Sequence, residues 1–152
     1  MEGRKVKNRD VVLLCRVLPT MQLVCSLEKR SLWQRERMYK ITAQLSGTPR
    51  GGQGPMGIDG ALAALEGAQE RCEEAIKNYV RSLRAAEKIV NGIESPLMRA
   101  FVVMYYMDNM SASVVQRELN MTRRGFERAR TAIEEAPDMA RVVWREKLIR
   151  EG

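Results

Sequence analysis

The longest regular pattern in the chain is a heptad seam. Ile58, Leu62, Leu65, Gln69, Cys72, Ile76, Tyr79, Leu83, Ala86, Val90 and Ile93 alternate steps of four and three without a slip. A straight α-helix drifts against a seven-residue repeat, so a repeat held this long requires a supercoiled partner, and a polar residue on the seam such as Gln69 helps to fix register. The helix is expected from about Asp59 to Val90, ending at Asn91-Gly92, where a left-handed residue closes helices. Ile58, Leu62, Leu65, Ile76, Tyr79, Leu83 and Val90 are its candidate association residues. Two partners satisfy the seam: an upstream helix folded back, or a second copy of the chain, with a dimer the favoured homo-oligomer.

The upstream candidate runs from about Thr20 to Leu45, because Pro19 suits the start of a helix better than its interior. Val24, Leu27, Ser31, Gln34, Met38, Ile41 and Leu45 again step by three and four, with Trp33 off the seam. Between the helices, SGTPRGGQGPMG (Ser46 to Gly57) is too rich in glycine and proline to continue either, and reads as a joint. It lacks the Gly-Lys-Ser/Thr ending of a phosphate loop, so its Arg50 is a candidate DNA phosphate contact only. Met1 to Asp10 is polar, basic and aperiodic, which predicts a frayed arm able to touch DNA phosphates. The apolar run from Val11 to Leu27 is signal-like, but Arg16 and Pro19 interrupt it and no small-residue cleavage site follows.

Downstream, Ser95-Pro96 starts a helix with a cap and a first-turn proline, and Leu97, Phe101, Met104 and Tyr105 follow at helical spacing. From Ser111 to Ile133, SASVVQRELNMTRRGFERARTAI reads as two helices meeting at a tight turn. Ser111 caps the first, Val114, Val115 and Leu119 share a face, and Asn120 takes the left-handed conformation that ends it. Thr122 caps the second, on which Phe126, Ala129 and Ile133 recur on one face. Stepping about 100° per residue, Arg124, Arg128 and Thr131 lie within roughly 40° of the opposite pole, with Glu127 on the flank. Thr122, Arg123 and Arg124 form the N-terminal turn. That is the arrangement of a major-groove recognition helix, since guanidinium forks suit both phosphates and the guanine edge. Pro137 ends the helix, and a last helix is expected from about Asp138 to Ile149 as a docking face for a neighbouring subunit.

The stretch from Ser95 to Ile133 resembles region four of bacterial sigma factors. ITAQLSGTPRGGQG (Ile41 to Gly54) followed by a long helix is similar to small phage regulators of the ArpU and RinA kind. Gln116 stands where that pattern has a small alanine, and Asn120 where it has glycine. The resemblance implies a coiled segment joined to a sigma-like DNA reader, and it adds RNA polymerase to the candidate partners.

Charge and missing chemistry narrow the function further. The chain carries a net charge of +7 at a pI near 9.7, which suits an anionic partner. The charge is uneven: Met1 to Arg50 holds 11 positive and 4 negative residues, whereas Gly51 to Pro96 holds 5 and 7. There is no histidine, so the commonest general base and metal ligand is missing. Three widely spaced cysteines write neither a zinc ribbon nor a disulfide framework, and a reducing cytoplasm in a bacterial host fits them. Glu70, Glu73 and Glu74 alternate with Lys77 and Arg81 as on a solvated helix face.

The expectation is an all-α protein without catalytic residues, cofactor, metal or membrane association. Its parts are 1–57 (arm, amphipathic helix and joint), 58–93 (heptad helix) and 94–152 (helix-turn-helix with a C-terminal helix). The function expected is that of a phage or prophage transcriptional regulator binding double-stranded DNA. The alternatives are a DNA-packaging subunit of the small-terminase kind and a helical interaction module without DNA.

Overall fold

The computed structural model describes residues 5–47 and 54–151, and no strand occurs among them. The helices are α1 (Arg9–Cys15), α2 (Val17–Gly47), α3 (Gly54–Asn91), α4 (Pro96–Val102), α5 (Ala112–Glu118), α6 (Arg123–Glu135) and α7 (Glu146–Glu151). A π turn, Val103–Met107, prolongs α4, and a 3-10 turn, Met139–Arg141, follows α6. The chain forms two compact units: Thr20–Val80, and the residues up to Pro19 together with those from Arg81 onward. The division thus falls within α2 and α3, where the sequence pattern puts boundaries after residues 57 and 93.

Thr20–Val80 is a helical hairpin made of α2 and the N-terminal part of α3. The α2 seam is as expected: Val24 is buried, and Leu27, Ser31, Gln34, Met38 and Ile41 are half-buried among exposed neighbours. Farther along the chain Ala86 and Ile93 are buried as expected, but within this unit the α3 seam is shifted. Its buried residues are Ala61, Leu65, Ala68 and Ala75, with Cys72 and Tyr79 half-buried, while Leu62 and Ile76 are 38% and 39% exposed. The repeat is still seven, but its second row is alanine. Small side chains let a neighbouring backbone approach closely, so the alanines turn inward and the larger Leu62 and Ile76 are left at the solvent edge. The long helix therefore has an intrachain partner, and Leu62 and Ile76 do not contribute to that seam. The helices also intrude on the glycine-rich joint, for α2 continues through Gly47 and α3 begins at Gly54; the rest of the joint, with Arg50, lies outside the described residues.

The second unit begins with a departure from expectation. Lys7 to Asp10 are not a frayed arm, while Met1 to Arg4 of the expected arm lie outside the described residues. The Asn8 side chain is fully buried: its Oδ1 accepts from the amides of Asp10 and Val11, capping α1, and its Nδ2 donates to the Ile133 carbonyl at 2.8 Å. The amides of Lys7 and Asn8 donate to the Glu134 carbonyl, that of Arg9 donates to Pro137, and Asp10 accepts from the Met139 amide at 2.9 Å. These bonds satisfy carbonyls that the end of α6 cannot satisfy internally. Polarity here marks a buried hydrogen-bonded junction. Behind it Val11, Leu14 and Val17 are buried, so Pro19 occupies the first turn of α2, where its missing N–H is harmless.

By length and composition the stretch Arg9–Gln44 could cross a membrane, with a window of mean hydropathy 1.6. Within it Val11, Leu14, Val17 and Val24 are buried, while Val12, Met21 and Leu23 are exposed.

Asn8→Ala removes a cap and strands a buried carbonyl, so it should lower stability by about 2–3 kcal/mol. Ala68→Leu should overpack the hairpin seam and cost about 1–3 kcal/mol. Chemical denaturation of each variant, followed by circular dichroism, measures both losses; an Asn8→Ala protein as stable as its parent would contradict the junction.

Candidate nucleic-acid interface

The two-helix motif forms as its sequence dictates. Ser111 accepts from the Val114 amide to cap α5, and Thr122 accepts from the Gly125 amide at 3.0 Å to cap α6. Between them Asn120 is left-handed, at φ 51°, a conformation asparagine tolerates better than most residues. The Met121 amide closes the turn by donating to the Gln116 carbonyl at 2.8 Å. Gln116 is half-buried, and its carbonyl serves the turn.

Behind the motif is an aromatic core. Phe101 on α4 and Phe126 on α6 are both fully buried, with ring centroids 5.4 Å apart, and Tyr105 meets Phe126 edge to face at 5.0 Å. The π turn sets which tyrosine goes inside. Its five-residue bond, from the Asp108 amide to the Val103 carbonyl, adds a residue to the turn and brings Tyr106 under Phe101. Tyr106 is accordingly buried and Tyr105 half-buried. Burial raises the Tyr106 pKa, with the nearby Glu134 carboxylate adding to the effect, so its hydroxyl stays protonated. Tyr105 hydrogen-bonds Arg130, raising the guanidinium pKa, and Arg130 also pairs with Glu127 at 2.8 Å. Both tyrosines are thereby placed in packing and away from the outer face of α6.

That outer face is basic. Thr122, Arg123 and Arg124 are exposed on the N-terminal turn, Glu127 and Arg128 are exposed one turn on, and Thr131 is half-buried. They do not form one open surface. The stretch after Pro137 is not the single helix the sequence suggests: Asp138 caps a 3-10 turn, the chain then runs extended to Arg145, and only Glu146–Glu151 is helical. This short α7 packs on α6. Ile149 is buried, its carbonyl abuts Gly125 where no Cβ could fit, and the Leu148 carbonyl accepts from Arg128 at 2.9 Å. Arg128, expected to project freely, is thus engaged by the chain itself. Arg124 and Thr131 lie on the same outward face one turn to either side of Arg128, Arg123 is exposed at the start of the helix, and Glu127 is exposed but paired with Arg130.

The sequence signal for this cover was Gly125. A glycine inside a helix costs about 1 kcal/mol against alanine, and such a position usually marks a close backbone approach.

The remaining candidates are dispersed. On α3, Leu65 is buried, Ile58, Tyr79, Leu83 and Val90 are half-buried, and Leu62 and Ile76 are exposed. Among the described residues no cluster of cysteine and carboxylate side chains could hold a metal, and Cys15, Cys25 and Cys72 are free thiols. The Cys15 thiol is exposed, yet partial desolvation by its neighbours, and secondarily Glu134, raises its pKa.

Comparison with protein-family models, with curated proteins and with solved structures gives no match.

Phe126→Ala should empty the centre of the aromatic core and lower stability by about 3–5 kcal/mol, whereas Arg124→Ala removes no buried contact and should stay within about 0.5 kcal/mol of the parent. Paired thermal melts test the contrast, and equal melting temperatures would show that the outward and inward faces have been misassigned.

Proposed function

We propose that the protein is a sequence-specific double-stranded DNA-binding regulator, with α6 as its reading helix. The observation that carries this is the capped, aromatic-backed pair α5–α6 presenting Arg123 and Arg124 from the exposed N-terminal turn of its second helix. That end of a recognition helix meets base edges, and a guanidinium reads the O6/N7 edge of guanine in two parallel bonds. The net charge of +7 favours approach to a polyanion. Thr131 completes the outward set, while the Glu127 carboxylate is held by Arg130. The role fits a phage or prophage regulator acting in a bacterial cytoplasm, with RNA polymerase as a further partner.

Self-association is the second part of the reading. On α2, Cys25, Leu32 and Tyr39 recur seven apart and are exposed, and Tyr39 borders Leu65 across a small cleft of about 290 Å³. Leu62 lies one turn from Leu65, and Ile76 continues its row, so the exposed apolar residues of both hairpin helices share one side. An identical hairpin offers a matching row, and two hairpins paired about a two-fold axis form a four-helix bundle. Two readers held by one dimer then require a repeated or palindromic site.

Binding to a randomised duplex library tests the first part. Arg124→Ala should relax preference at one base position and cost about 1–3 kcal/mol on the best site, while Arg123→Ala should weaken all sequences alike and flatten the salt dependence. Selection of the same sites with the same stringency by both variants would exclude α6 as the reader. For the second part, Leu62→Glu with Ile76→Glu should halve the mass seen by light scattering and leave helicity intact, because neither side chain lies in the hairpin seam.

A further inference from the structure

The contact between α7 and α6 is placed where DNA would have to go. Gly125 and Arg128 lie in the N-terminal half of α6, the half that enters a groove, Gly125 on the flank beside the buried face and Arg128 close to the outward pole. A major groove about 12 Å wide admits one helix of about 10–12 Å. Two helices packed at about 8–10 Å between axes span roughly 20 Å across. The α6–α7 pair is therefore too broad to enter, although α6 alone fits. We infer that α7 is an intramolecular latch on the reading helix, which DNA must displace. The inference rests on the DNA-binding reading above.

The chemistry of the contact suits a reversible cover. Its apolar anchor is Ile149, and its polar anchor is the Arg128–Leu148 bond, in which a neutral backbone carbonyl occupies a guanidinium that a charged phosphate oxygen would bind more strongly. Trp144, packed at a tilt 6.2 Å from Phe101, holds the extended strap leading to α7, so the cover can lift while its root stays fixed. Gly125 is the permissive element. A methyl group there would meet the Ile149 backbone, which cannot yield as a flexible side chain would.

Two substitutions in the full chain release the latch by different routes. Gly125→Ala blocks the seat while raising the helical preference of α6, and Ile149→Asp removes the apolar anchor from the other side. Binding to mixed-sequence duplex DNA, followed by fluorescence anisotropy, should tighten on the order of ten-fold in both, the population shift expected from losing one buried aliphatic contact. Equal or weaker binding by folded variants overturns the latch and leaves the DNA reading standing. No binding by the parent or either variant overturns both. Hydrogen exchange on the unaltered chain gives a readout independent of how the variants fold. The Ile149 amide, bonded to the Arg145 carbonyl at 3.1 Å, should exchange faster when DNA is added, and unchanged or slower exchange in DNA-bound protein would overturn the latch.

Discussion

Phe101 is fully buried and lies within about 5.4–6.2 Å, centroid to centroid, of Tyr105, Tyr106, Phe126 and Trp144. Through those rings the π turn, the second motif helix and the strap after Pro137 are fixed to α4. Aromatic pairs contribute beyond their buried area because their edges and faces are oppositely charged, and most of these contacts are tilted or edge to face. The rigid positioning of α6 derives from this cluster, and the outward arginines have a defined direction because Phe126 has a defined inward one.

The motif was legible in the sequence because each part of it has a local cause. A serine or threonine cap, an asparagine able to turn left-handed and apolar residues seven apart act over a few residues, and the structure places Ser111, Asn120, Thr122, Phe126, Ala129 and Ile133 as those causes require. The α2 seam was legible for the same reason. The α3 seam was misread at Leu62, Gln69 and Ile76, which are exposed, because hydrophobicity favours leucine and isoleucine, whereas close helix packing favours alanine. Ala61, Ala68 and Ala75 are buried while Leu62 and Ile76 reach solvent.

What the sequence hid were contacts between distant segments. Lys7, Asn8, Arg9 and Asp10 look like a soluble arm because their side chains are polar or charged, and only the fold shows Asn8 meeting Ile133. The engagement of Arg128 was hidden likewise, since its acceptor is a backbone carbonyl with no signature in the side-chain sequence. The extended strap between the 3-10 turn and α7 follows from Trp144 seeking the aromatic core, a tertiary preference that overrides the helical periodicity of the segment.

The buried bond from Asn8 to Ile133 joins residues 125 positions apart, with the whole hairpin between them. Loop-closure entropy grows with the chain to be closed, and pairing α2 with α3 first shortens the effective loop by about half. The hairpin is thus a folding intermediary as well as a surface. During synthesis, which proceeds from the N-terminus, Asn8 stays without this partner until Ile133 has been made. The second unit is consequently the last part of the molecule to acquire its core, and a lesion in the hairpin would slow the maturation of that core.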